Sequence, residues 1–406
     1  MDVHGIVNHY MQTDVYQQSL AFHRKYRGKL SVVPVIPIVS KDDLAVMYTP
    51  GVAEPCRVIA KDPQASFDLT MRGRSVAVVS NGTAVLGLGD IGPEAAMPVM
   101  EGKALLLKQF GGVDAIPLVI DARDPQEIIA FVKQIRPTFA GINLEDIAAP
   151  ACFAVEDGLQ DLGIPVFHDD QHGTAIVVTA ALHNAALVVG KKYEDLNVVV
   201  VGAGSAGLSV ARMLSGLDCF AGACDLHTAL PSVGDVILVD SVGIVSKHRN
   251  DLHVYKQAVM GFTNKENRVG DLAVAMKGAD VVIGVSRAGI ITAEMVASMA
   301  ERAIVFALAN PAPEIMPDEA TRAGAMVVAT GRSDFPNQIN NLLAFPAVFR
   351  AVIDARLTKI TLPMKVAASK AIAALVPNPT AGEIVPSVFY PDLAKIVAEA
   401  IIAAKV

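Results

Sequence analysis

The chain reads as an α/β protein: a Rossmann-type, doubly wound, mainly parallel sheet preceded by a smaller N-terminal α/β domain. Three observations carry that expectation. The apolar run LNVVVV at 196–201 passes directly into Gly202-Ala203-Gly204-Ser205-Ala206-Gly207 and then into a helix-forming segment. Further apolar runs at 236–240, 280–286, 303–309 and 326–330 follow, most of them separated by helical intervals, which is the alternation that builds a parallel sheet. Two strand–helix–strand passages occupy the first 170 or so residues, enough for a domain of their own.

Taken in order, the opening MDVHGIVNHYMQ lacks a basic start followed by an apolar core, so no secretory signal is expected. The Pro-rich stretch at 32–39 should be irregular. A strand is expected at 75–80, a helix through 97–110, a strand at 115–121 and a helix at 125–135. Short apolar pieces follow at 139–144 and 164–167. The most apolar long run, 175–189, carries His183 and Asn184 in its middle and is too short for an ordinary membrane span. It reads as a buried helix, starting at 174. From Pro363 the chain is largely helical, broken by VPNPTAGEIVP at 376–386.

Length and composition agree with this. A chain of 406 residues supports two or three cores. With 52% apolar and 18% charged residues, much of the sheet should be fully buried. The net charge of −7, without a basic run, argues against nucleic acid as a partner. The four cysteines are scattered without a zinc spacing, which points to a reducing, cytoplasmic setting. Cys219 and Cys224 are close enough to pair or share a metal, but no second pair or nearby ligand cluster supports either.

The turn after the valine strand has a specific chemistry. Gly202 permits the tight exit from the strand, Gly204 lets a pyrophosphate approach the backbone, and Gly207 lets the helix sit close to the sheet. Ala203, Ser205 and Ala206 complete the cradle, and the helix N-terminus presents free N–H groups to the anion. A dinucleotide is the implied ligand. An acid at the end of the next strand should hold the adenosine ribose. Asp225 has the usual spacing, but Asp240 closes a convincing strand, VGDVILVD, so Asp240 is preferred and 219–233 is read as containing an insertion. An acid there favours NAD over NADP, because a 2′-phosphate would be repelled. Gly87-Leu88-Gly89-Asp90-Ile91-Gly92 matches the same pattern, but its strand ends earlier, Pro93 follows and Asp90 would oppose a phosphate. It reads as a glycine-shaped loop near an active site.

Two acidic pairs follow short apolar runs: Glu145-Asp146 in GINLEDIAAP and Asp169-Asp170 in PVFHDDQHGTA. Taken singly, either pair is more simply a surface turn or a helix N-cap. Converging at strand ends, they would form an oxygen-rich site for Mg²⁺ or Mn²⁺. His168 and His172 have a zinc-like spacing but lack the Glu of H-E-x-x-H, and structural hydrogen bonding is expected of both. Lys103, in VMEGKALLLK, and Tyr48, in MYTPGVAEP, are candidate acid–base groups. Apolar neighbours would desolvate Lys103 and lower its pKa. Alone, the one is more often a surface lysine and the other a core or rim aromatic.

MYTPGVAEPCR, GTAVLGLGDIGPEAAMPVMEGKALLLKQFGGVDAIPL, INLEDIAAP, PVFHDDQHGTA, ALANPAPEI and ATGRSDFPNQINN closely resemble the malic enzymes of the short bacterial type. The resemblance runs in order from about residue 26 to 396. It implies a substrate and metal domain over 1–172 and an NAD-binding Rossmann domain with C-terminal helices over 173–406. By that resemblance Tyr48 and Lys103 are the catalytic tyrosine and lysine, and Glu145, Asp146 and Asp170 the metal carboxylates. Asp169 matches an adjacent catalytic acid, and Asn310 and Asn341 match positions contacting cofactor or substrate. The implied reaction is metal-dependent oxidative decarboxylation of L-malate to pyruvate and CO₂ with NAD, or NADP as the alternative. In it Lys103 is the base on the C2 hydroxyl and Tyr48 the acid at C3. A cytoplasmic homodimer or larger homo-oligomer, with no nucleic-acid or membrane partner, is expected. GLDCFAGACDLHTALPSVGD is longer than the family's usual link. The rival readings are a non-decarboxylating 2-hydroxy-acid dehydrogenase, which would use a His/Arg/Asp apparatus without metal, and a non-catalytic NAD-binding sensor.

Overall fold

The strand that begins the first sheet, β1 (Ser75–Ser80), is buried at every position, as expected of a strand covered on both faces. It is joined by β2 (Asp114–Val119), β3 (Gly141–Leu144) and β4 (Val166–His168) in the order β2-β1-β3-β4, with every pairing parallel. The computed structural model describes residues 3–405 other than 86. The first two residues of the segment read for a secretory signal therefore lie outside the described residues. The helices Pro93–Gly111 and Pro125–Ile135 open with proline at a position where its missing N–H costs nothing. The second is also capped by Asp124, which accepts the Gln126 N–H.

The buried Thr174–Val189 helix links the two sheets. The five-residue turn Asp169–Gly173 runs into it as a π-helical turn, a local distortion often found at functional sites. The turn corrects the expectation that this run is too short to span a membrane. With it, Asp169–Val189 reaches 21 residues and is long and apolar enough by length and composition, yet 72% of its apolar window is buried inside the protein. The division expected at 172/173 falls within this turn, where the chain passes between sheets without a linker. The helix Phe345–Ala355 then returns to the first sheet: a Cβ on Gly111 would lie 2.8 Å from the Pro346 carbonyl oxygen, and Phe349 meets Phe167 edge-on at 5.9 Å.

The later strands are β5 (Asn197–Val201), β6 (Leu217–Phe220), β7 (Ala223–Leu226), β8 (Asp235–Asp240), β9 (Gly243–Ile244), β10 (Val281–Gly284), β11 (Ala303–Ala307) and β12 (Ala325–Thr330). Six of them form one sheet, β12-β11-β10-β5-β8-β9, parallel except for β9. Because β5 pairs with β10 on one side and β8 on the other, the strand order reverses at its carboxyl end. Ligands of doubly wound sheets collect in the crevice at such a point.

The expected insertion is a separate antiparallel hairpin of β6 and β7. It puts Cys219 directly opposite Cys224, 4.0 Å apart at Cα, and they form a disulfide. Of the two uses weighed for this pair, a disulfide or a shared metal, the structure shows the disulfide, against the expectation that neither had support. The pairing needed cross-strand register, which spacing alone does not reveal. Cys56 and Cys152 are free.

Candidate active site

Parallel register builds the carboxylate cluster. Leu144 of β3 lies opposite His168 of β4, so the chain leaves both strands at the same edge and delivers Glu145-Asp146 beside Asp169-Asp170. Ligand oxygens of Glu145, Asp146 and Asp170 lie within 4.8 Å of one another. Asp146 adopts a left-handed conformation, φ 54°, and its N–H donates to Asp170 Oδ2 at 2.8 Å. Asn143 Nδ2 donates to Glu145 Oε2 at 2.7 Å. Burial first, and then the neighbouring acids, push the Glu145 carboxyl well above the carboxylate range against the pull of Lys103. Asp146 is pushed up to about 8 by burial and by the Asp170 charge. Its Oδ2 is buried without a hydrogen-bond partner. Such a group of oxygens fits a hard divalent cation, which offsets the repulsion and takes up the orphaned oxygen.

Lys103 lies against this cluster, its Nζ 2.8 Å from Glu145 Oε1 and 2.6 Å from Asp169 Oδ2 and 4.1 Å from the centre of the Phe345 ring. The expectation of a lowered lysine pKa is corrected. Burial does favour the neutral amine, but the charges of Asp169 and Glu145 outweigh it and raise the pKa. Asn341 Nδ2 donates to Asp169 Oδ2 at 3.1 Å and to its carbonyl oxygen at 3.3 Å, while Thr174 Oγ1 donates to Asn341 Oδ1 at 3.2 Å. Thus Asn341, grouped with the cofactor residues from sequence, is tied to the carboxylate side. Asn143 and Phe345 were missed. A polar residue inside the buried run of β3 was the available signal for Asn143; Phe345 offered none.

The glycine turn lies at the end of β5. Gly202 has φ 107°, and a Cβ there would meet the Val285 carbonyl oxygen at 2.6 Å. A Cβ on Gly207 would lie 1.7 Å from the Gly202 carbonyl oxygen, whereas one on Gly204 meets nothing within 4 Å. The turn is therefore tight where helix meets strand and open where a ligand would approach. Ala203 is buried between them, and Ser205 and Ala206 begin the Ser205–Leu214 helix. Asp240 ends β8 beside β5, accepting from Arg249 at 2.7 Å and Lys256 at 2.6 Å. Asp225 lies in the separate hairpin. Asn310 follows β11, and the Gly87 loop packs on it: a Cβ on Gly87 would lie 2.8 Å from the Asn310 carbonyl oxygen. The second glycine-rich segment is thus a loop of the first sheet closing on the nucleotide-type sheet, with Asp90 paired to Arg123. Another residue missed from sequence, Glu314, is fully buried and accepts the N–H groups of Ser286 and Ala309, bracing the loops after β10 and β11.

Tyr48 ends the Lys41–Met47 helix, is 65% exposed and has no hydrogen bond to the cluster. The histidines divide. His172 accepts from Lys365 at Nδ1 (3.0 Å), so Nε2 carries the proton donated to Glu156 at 2.5 Å. His168, expected to be hydrogen-bonded, is not: both ring nitrogens are buried without partners, and Asp170 Oδ2 stands 3.6 Å away. Among the described residues, the metal-type group contains carboxylates alone.

Residues 27–129 match the family model "Malic enzyme, N-terminal domain", and residues 171–406 match "Malic enzyme, NAD binding domain". The chain is 48% identical over 389 residues to the bifunctional malic/malolactic enzyme of Bacillus subtilis, covering 95% of this chain and 92% of that one. It is 49% identical to an NAD-dependent malic enzyme of Geobacillus stearothermophilus, over 93% of this chain and 76% of the relative. The crystal structure of the NAD-dependent malic enzyme of Thermotoga maritima superposes with a TM-score of 0.87 at 44% identity, covering 94% and 98% of the two chains.

Proposed function

The chain belongs to the malic enzyme family, and we propose that it oxidatively decarboxylates L-malate to pyruvate and CO₂ with NAD as hydride acceptor. The observation that carries this reading is the junction of Lys103 with the buried Glu145, Asp146 and Asp170 cluster at one sheet edge. Glu145, Asp146 and Asp170 would hold Mg²⁺ or Mn²⁺, which supplies Lewis acidity toward the C1 carboxylate and C2 oxygen of malate. Lys103, in its neutral form, takes the C2 hydroxyl proton. With Glu145 committed to a cation, Lys103 keeps one carboxylate partner, Asp169, and holds its own proton less tightly. Asn341 and Asp169 fix the direction of the amine, and Phe345 walls it from water. Tyr48 protonates C3 after CO₂ has left and recovers its proton from Lys103, which carries the one taken from the C2 hydroxyl.

The 65% exposure of Tyr48 is matched by the VVPVIPIV segment before it, in which Val32 is 98% and Val39 84% exposed. A second copy of the chain covering that segment would seat Tyr48 at a site, so the working enzyme is a homodimer or larger homo-oligomer. Asp240 accepts the ribose hydroxyls of NAD, in preference to the phosphate of NADP. The location proposed with this reaction is the cytoplasm.

Incubation with malate, Mn²⁺ and either coenzyme tests this. Reduced coenzyme and pyruvate should form in equal amounts, faster with NAD. Oxaloacetate formation insensitive to chelators would indicate a simple dehydrogenase instead, and coenzyme binding without turnover a sensor.

A further inference from the structure

Away from the carboxylate cluster, a cavity of about 110 Å³ opens between the first sheet's edge and the end of the Phe345–Ala355 helix. Its wall carries three arginines, Arg72, Arg136 and Arg356, and no acidic residue. Phe67, Ile164 and Leu357 supply apolar surface. Arg72 is held on two sides. Its Nη1 donates to Ser66 Oγ at 2.8 Å, and its guanidinium lies 4.1 Å from the centre of the Phe67 ring. Yet its Nε is buried without a partner. Arg356 stands 5.9 Å from the same ring and is tied to Asp68. Among the described residues, the side chain of Arg136 has neither a hydrogen bond nor an ion pair. Burial and then the charge of Arg136 hold Arg72 below the ordinary arginine range, as expected of two guanidiniums sharing one opening without a counter-charge.

We propose that this cavity binds the phosphoryl group of a small phosphorylated metabolite or free phosphate, with Arg72 and Arg136 as its principal donors. Two forks with unused N–H groups match the oxygens of a phosphoryl group, and the ligand's charge removes the repulsion between them. The volume accommodates the phosphoryl group but not a nucleotide, so the rest of a larger ligand lies outside. Nor is the occupant the reacting malate. Phe345, against Lys103, begins the helix that Arg356 terminates, and eleven residues span roughly 16 Å. The site therefore belongs to an accessory ligand, independently of which coenzyme the enzyme uses.

The test is calorimetric titration of the whole enzyme with inorganic phosphate and with glycerol 3-phosphate, at fixed ionic strength. Saturating NAD is present throughout to fill the Gly202–Gly207 turn. Saturable binding is expected, with the two titrants separating free phosphate from a phosphate ester. Arg136→Gln should weaken it by about tenfold or more, as loss of a charge-assisted pair does. The Arg136 side chain makes no hydrogen bond among the described residues, so that variant folds even if Arg72→Gln, which loses the Ser66 contact, does not. Lys133→Gln, one helical turn from Arg136 and outside the cavity wall, should leave the affinity unchanged. The proposal is overturned if neither titrant binds, or if binding survives Arg136→Gln. It is equally overturned if Arg136→Gln leaves phosphate without effect but dissociates the oligomer, for then an acidic side chain of a second copy fills the cavity.

Discussion

Gly173 and Asp169 share a space that admits no side chain between them: a Cβ on Gly173 would lie 1.9 Å from Asp169 Oδ1. Asp169 is fully buried and held by Lys103 and Asn341, so it has little room to move aside. Gly173→Ala should push the carboxylate off Lys103. We expect a stability loss of about 1–3 kcal/mol, typical of overpacking, and a larger proportional loss in kcat than in coenzyme affinity. Urea unfolding and steady-state kinetics check both. A fully active Gly173→Ala enzyme would show that the Lys103–Asp169 contact is dispensable.

Asp170→Ala removes one of three clustered carboxylates without touching the glycine turn. Turnover dependent on Mn²⁺ should vanish, and Mn²⁺ affinity should fall by about tenfold or more if a metal ligand is lost. NAD binding, followed by fluorescence of the reduced coenzyme, should persist. Unchanged Mn²⁺ affinity would remove Asp170 from the metal site.

Lys103 and Tyr48 should separate in their effects. Lys103→Ala leaves Glu145 and Asp169 buried without their shared cation, a change of the kind that costs about 3–5 kcal/mol, and it should abolish hydride transfer. Tyr48→Phe removes one exposed hydroxyl, so stability should be unaffected while pyruvate formation slows. Near-normal rates in both across the pH range would rule out their acid–base roles.

How far these assignments were legible depended on the range of the interactions. The bounds of β1 and of the Thr174–Val189 helix could be read directly, because continuous apolar sequence decides them locally. The acidic pairs were visible as pairs, but their convergence needed the register of β3 against β4. The direction of the Lys103 shift was misread for the same reason: Asp169, its nearest counter-charge, is 66 residues away. Strand context placed Asp240 where spacing favoured Asp225, since the extra residues fold out as a hairpin. The disulfide was hidden in that hairpin's cross-strand register.

Coenzyme choice should turn on Asp240. Its carboxylate, held down at about 2 by Arg249 and Lys256 against the effect of burial, stays charged throughout the working range. Asp240→Ala removes the ribose acceptor and frees Lys256, while Arg249 keeps Asp251. NAD affinity should fall by about 1.5–3 kcal/mol for each charge-assisted hydrogen bond lost, and the gap to NADP should narrow. Asp225→Ala should do little. A wild-type enzyme that strongly prefers NADP, or a response confined to Asp225→Ala, would show that the ribose lies elsewhere.

Acid should weaken the fold through two buried histidines, in opposition to Glu145 and Asp146, whose raised carboxyls favour the folded chain as pH falls. Burial holds His172 down at about 4, with Lys365 adding to the effect against the pull of Glu156. Burial, with Lys370 nearby, holds His183 at about 4 as well. Both have an ordinary value of 6.5 when unfolded. Between those values the unfolded chain binds protons that the folded chain refuses, so stability falls as pH decreases. It is full above about 6.5 and is lost progressively as pH drops through 4, at up to about 1.4 kcal/mol per unit for each histidine. From pH 7.5 to pH 5 the histidines' share of the change in urea stability should be a loss of a few kcal/mol, at about 1.4 kcal/mol per histidine per unit of pH, set against the gain from Glu145 and Asp146. His183 stacks on Tyr193 with ring centres 4.1 Å apart, an arrangement phenylalanine can keep. His183→Phe should hold its stability at pH 7.5 and be more stable than wild type at pH 5 by that histidine's share, because one titrating group is gone. The same change with pH in wild type and in His183→Phe would mean that the fold does not keep His183 neutral.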